Sequence, residues 1–108
     1  MRVYIKRKNN SINAIAEYNV SEKSFVVLKG SKVSDNIAYS ASFRGSKSIE
    51  KSRANGNVVD GIVVKDVVFK SPSTAANFVT GTSTNGLVTW KDKNGTPLKD
   101  LLNKEGEL

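Results

Sequence analysis

Six residues, Gly81-Thr82-Ser83-Thr84-Asn85-Gly86, repeat the glycine spacing of a phosphate-cradling P-loop. The chemistry would be backbone amides wrapped around phosphates, with a lysine reaching the outer ones. Leu87-Val88 stand where Lys-Ser/Thr is required, so that lysine is missing and the motif fails. Ser48-Ile49-Glu50-Lys51 has the serine–lysine spacing of the β-lactamases, yet the companion motifs are absent from a chain of 108 residues. A restriction-type nuclease core wants an acidic residue two positions before a lysine, and no Asp/Glu-x-Lys triplet occurs. Asp60 and Asp66 make a poor carboxylate pair, one in a predicted turn and the other inside a predicted strand. Cysteine and histidine are both absent. That removes disulfides, zinc sites of the usual Cys/His kind, a cysteine nucleophile and a histidine base. The expectation is a noncatalytic domain with no cofactor and no metal.

Charge points further than motifs do. Formal net charge is +7, from 17 Lys and Arg against 10 Asp and Glu. Residues 1–53 hold 11 basic and 4 acidic side chains, whereas residues 54–108 hold 6 of each. The whole excess lies in the first half. Clustered cations favour a polyanion, because neutralising phosphates releases counterions. A solvated basic face without a partner is the plain alternative.

The elements that would position these residues are short. Val3-Tyr4-Ile5 reads as a first strand. Residues 14–20 place Ala14, Ala16, Tyr18 and Val20 on one face of a second strand. After the polar turn at residues 21–24, Phe25-Val26-Val27-Leu28 is a third, paired with the second as a hairpin and ended by Gly30. Residues 34–48 carry five serines and read as a loop. A thin helix is expected over 46–54, stopping at Asn55-Gly56. A turn at 58–61 and one valine-rich strand, Ile62–Phe69, follow. Ser71 then reads as the N-cap of a helix with Pro72 at its first position, apolar face Ala75, Phe78 and Val79, and stop at Gly81. A turn at Asn85-Gly86, a strand over Leu87–Lys91, a turn at Asn94-Gly95 and a terminal helix through Leu98, Leu101 and Leu102 complete the reading. This order gives an α+β domain, an antiparallel sheet with one or two short helices packed on it. The longest apolar run, Phe25–Leu28, is too short to span a bilayer, and no signal peptide is legible, so a cytoplasmic domain is expected.

The compound pattern over Phe69-Lys70-Ser71-Pro72-Ser73-Thr74-Ala75-Ala76, Gly81, Asn85-Gly86 and Trp90-Lys91, with Gly95 and Leu98 after it, resembles the family called domain of unknown function 4357. Its members carry a Phe-x-Ser-Pro-Ser-x-Ala-Ala helix start and an Asn-Gly-Trp turn. Phe25 to Ser31 likewise resembles that family's strand ending in Lys-Gly-Ser. The resemblance covers roughly residues 14–102. One departure is Leu87, where relatives have tryptophan, which leaves Trp90 as the only indole.

The family is similar to restriction enzyme adenine methylase associated domains, proposed readers of modified DNA, and some members are attached to GIY-YIG nuclease domains. The resemblance therefore implies a DNA-associated module of a bacterial or phage restriction-modification system. DNA is the expected partner, with a nuclease or methylase subunit as another. A module that docks on such a subunit through an exposed apolar patch is the second reading.

The phosphate candidates are Lys29, Lys32, Arg44, Lys47, Lys51 and Arg53. Ser71 and Ser73 cap a helix, and the same helix start could face a phosphate. Asn85 reads as a turn residue or a contact to a base edge. Trp90 reads as core or as a stacking platform for a flipped base, and Tyr4, Tyr18 and Tyr39 pack or stack.

Overall fold

Alternating burial builds the sheet. In β1 (Arg2–Lys6), Val3 and Ile5 are buried while Arg2 and Lys6 are exposed. In β2 (Asn13–Asn19), Ala14 and Ala16 are fully buried, with Tyr18 packed against the same core. Side chains two apart share a face in a strand, so one face of each strand supplies the core. Strand β3 (Ser24–Val27) adds Phe25 and Val27 to it. The computed structural model describes residues 1–7, 11–34 and 50–104. Arg44, Lys47, Tyr39, nearly all of the serine-rich stretch and the start of the helix expected at 46–54 lie outside the described residues.

The chain forms an α+β domain. Strands β1, β2, β3 and β6 (Val67–Phe69) make a four-stranded antiparallel sheet in that order. Strands β4 (Val58–Val59) and β5 (Ile62–Val63) form a separate hairpin. Its turn is Asp60-Gly61, with φ of 51° and 77°. Two positive φ angles in a two-residue turn match the twist of the flanking strands. Before it, residues 50–52 are helical and run into a π-type turn, Arg53–Asn57, which breaks at Asn55 and Gly56 as the Asn-Gly pair predicts.

The valine-rich stretch is not one strand. The structure divides Ile62–Phe69 between two sheets, with β5 on β4 and β6 on β3. The cause lies in β3, which turns at Gly30 with φ of 93°. Past that turn Gly30 donates to the Val63 carbonyl and Val63 donates to Ser31. Meanwhile the Asp66 carboxylate takes the Lys29 amide at 2.8 Å, standing in for a ladder bond. Valine propensity favours extended backbone but does not choose the neighbour.

Helix α1 (Pro72–Thr80) begins where the sequence placed it. The Ser71 hydroxyl accepts the Thr74 amide at 3.1 Å, Pro72 takes the first turn, and Gly81 closes the helix at φ of 73°. Ala75, Ala76, Phe78 and Val79 are all fully buried against the sheet. The expected strand Leu87–Lys91 is instead a single helical turn, α2 (Gly86–Thr89). Helix α3 (Leu98–Lys104) buries Leu98 and Leu102. Among the described residues no helix is long and apolar enough to cross a membrane.

Candidate functional site

Ser73, Gly86 and Trp90 of the sequence pattern meet at one place, the start of α1. Trp90 is fully buried; its Nε1–H donates to the Pro72 carbonyl at 3.0 Å, and its ring lies 5.0 Å from that of Phe25. The Gly86 amide donates to the Ser73 hydroxyl at 3.0 Å. The Asn85 side chain caps α2 by accepting the Leu87 amide at 3.0 Å. This explains why Leu87–Lys91 does not extend. A helical turn puts Gly86 and Trp90 on one side, where both meet the Pro72–Ser73 peptide. In this arrangement Ser71, Ser73, Asn85 and Trp90 serve packing and capping, and the buried indole presents no face to an outside base.

The upstream Lys-Gly-Ser piece is also internal. Ser31 is buried, and its hydroxyl accepts the Ile15 amide at 3.0 Å while lying 3.3 Å from the Ile15 carbonyl. Ser31 thus completes an edge of β2 that backbone pairing leaves open.

The cations expected on phosphates divide in two. Lys29 and Lys51 are exposed and Lys32 is half-buried. Arg53 is a clamp: its guanidinium donates to the Phe78 carbonyl at 2.6 and 3.1 Å, to Val79 at 3.3 Å, and to the Ser34 carbonyl at 2.9 Å. The Phe78 and Val79 carbonyls lie at the C-terminal end of α1, where a cation also meets the negative end of the helix dipole.

A basic cleft of about 400 Å³ lies elsewhere. One wall is β1 and its end, with Tyr4, Ile5, Lys6 and Arg7; the other runs from α2 into the next loop, with Val88, Thr89, Lys91, Asp92, Lys93 and Gly95. Its floor is a bridge between Tyr4 and Lys91, whose amides and carbonyls pair at 2.7 and 3.1 Å. Because Trp90 points into the core, Lys91 is turned outward beside Tyr4. Four cations therefore meet one carboxylate here. That carboxylate, Asp92, is already engaged, accepting the Asn94 and Thr96 amides at 2.9 Å each. The ion pairs among the described residues lie at the far end of the sheet, where Glu17 meets Arg2 and the N-terminal ammonium. None of them involves Lys6, Arg7, Lys91 or Lys93.

Lys32 lies on the same sheet face as Lys6, two strands away from it. Lys6 pairs in register with Asn13, which bridges to Lys32, so the two lysines flank one residue. Adjacent strands lie about 4.8 Å apart, which places their backbones roughly 10 Å from each other. The cleft residues escaped the sequence reading because their two runs, Lys6-Arg7 and Lys91-Asp92-Lys93, lie at opposite ends of the chain. The local density of charge at Lys6-Arg7 was the available signal. Among the described residues no three carboxylates gather as a metal site.

The family model described as "Domain of unknown function (DUF4357)" matches residues 4–102. The chain belongs to this family. No curated protein and no solved structure matches it. In this DUF4357 domain, therefore, the Ser-Pro-Ser, Asn-Gly and Lys-Gly-Ser pieces build the scaffold, and among the described residues Lys6, Arg7, Lys91 and Lys93 share one basic cleft.

Proposed function

We propose that this DUF4357 domain is a noncatalytic DNA-binding accessory module of a restriction-modification system, and that it docks on phosphates through the cleft. The observation that carries the reading is the meeting of Lys6, Arg7, Lys91 and Lys93 around one internally engaged carboxylate. Uncompensated cations on one surface raise the local potential and favour a polyanion. Lys29 and Lys51, both exposed, are further phosphate candidates outside the cleft. The resemblance read from the sequence, towards restriction enzyme adenine methylase associated domains, motivates a reader of modified DNA in a bacterial or phage setting.

The test is titration with matched duplexes, methylated and unmethylated on adenine, at two salt concentrations. Salt-sensitive binding is expected, weakened by joint Lys6→Ala, Arg7→Ala, Lys91→Ala and Lys93→Ala substitution. Binding indifferent to salt and to those substitutions would remove the proposal.

A second reading, docking on a nuclease or methylase subunit, is favoured by one observation. Val59 and Ile62, cross-strand partners in the β4–β5 hairpin, are 54% and 37% exposed, and Val64 beyond them is 41% exposed. Such binding would hardly respond to salt, and Val59→Thr with Ile62→Thr would weaken it.

A further inference from the structure

We infer that the basic cleft receives a single unstacked nucleotide, with the Tyr4 ring as its stacking platform. This rests on the DNA-binding reading and adds what the cleft selects. Contact with the phosphates of an intact duplex needs only cations on an open surface. Here the cations rim a recess of about 400 Å³, a size typical of small-molecule sites. Stacked and paired bases cannot enter such a recess; an unpaired or extruded one can.

The walls suit a base. Tyr4 is half-buried; it stands opposite Ile15 in β2 and bonds through its own amide and carbonyl to Lys91. Its backbone is thereby fixed before any ligand arrives, which limits the ordering needed on binding to the side chain. Val88, 51% exposed, supplies an apolar surface on the opposite wall. The Lys6 ammonium lies over the Tyr4 ring, 5.2 Å from its centroid, so a base stacked on that face takes its place and moves the flexible lysine aside. Arg7, Lys91 and Lys93 then stand at the rim for the flanking phosphates. An aromatic face combined with cations that follow the backbone is the arrangement by which single strands are held without sequence preference.

The test uses duplexes carrying 2-aminopurine, either fully paired or opposite an abasic site, with affinity and 2-aminopurine quenching both measured. Base stacking on an aromatic ring predicts about tenfold tighter binding of the unpaired form, together with quenching. Tyr4→Phe retains both effects and Tyr4→Ala loses both. Val88→Trp, at an exposed position that leaves the core untouched, fills the recess and also abolishes the preference. Equal affinity for the two duplexes, with salt-dependent binding intact, overturns this inference and leaves the DNA-binding reading standing. Absence of binding to either duplex overturns both.

Discussion

Gly86 lies so close to Pro72 that a Cβ on it would fall 2.3 Å from the Pro72 carbonyl carbon and 2.4 Å from its oxygen. The same carbonyl accepts the Trp90 indole. Two helix starts are thus pressed together through a position that only glycine fits. Gly86→Ala must push backbone against backbone, since the obstructing atoms belong to the main chain. Overpacking of this kind typically destabilises by about 1–3 kcal/mol. A lower denaturation midpoint with an unchanged m-value is expected. A variant as stable as the parent would show that α2 can lift away from α1.

The Arg53 clamp makes its own prediction. Arg53→Ala removes charge-assisted bonds to the Phe78, Val79 and Ser34 carbonyls, and should destabilise by about 1–3 kcal/mol. Lysine cannot reproduce the planar fork, so Arg53→Lys recovers only part of the loss. The salt dependence of DNA binding should be the same in Arg53→Lys as in the parent. A slope change as large as that of a cleft lysine would assign Arg53 to phosphate contact instead.

Ser31→Ala leaves the Ile15 amide without its hydroxyl acceptor. An unsatisfied buried donor typically costs about 1–3 kcal/mol. Hydrogen exchange at Ile15 should accelerate in this variant more than at Tyr18, whose amide is held by the Met1 carbonyl. Equal acceleration at both sites would mean global loss rather than a local defect in β2.

Salt titration separates the two groups of cations. Each phosphate contact contributes about 0.9 to the slope of log K against log salt on duplex DNA. Joint alanine substitution of Lys6, Arg7, Lys91 and Lys93 should flatten the slope more than joint substitution of Lys29, Lys32, Arg44 and Lys47. The reverse ranking would move the phosphate track away from the cleft.

Helix α1 was readable because its signals are local. A serine cap, a proline at the first turn and a glycine in left-handed conformation at the end act on backbone within a few residues. The β2–β3 hairpin and the break at Gly56 were readable for the same reason, whereas the turn expected over 58–61 is confined to Asp60-Gly61 because Val58-Val59 pairs as β4. Leu87–Lys91 was not, because its branched residues favour extension while the Asn85 cap and the meeting of Gly86 and Trp90 with Pro72 favour a helical turn. Ile62–Phe69 was misjudged as one strand because the bend at Gly30 belongs to a different part of the chain.

The class of the domain, the limits of its best helix and the excess of positive charge in its first half are legible in the sequence, since each is a property of composition or of near neighbours. Only the tertiary structure decided which cations are engaged and which remain available. Arg53 is spent on carbonyls at the end of α1, while Lys91 and Lys93 join Lys6 and Arg7 because one backbone bridge ties Tyr4 to Lys91. Electrostatic potential depends on distance through space, and the fold alone brings the two ends of this chain to one cleft.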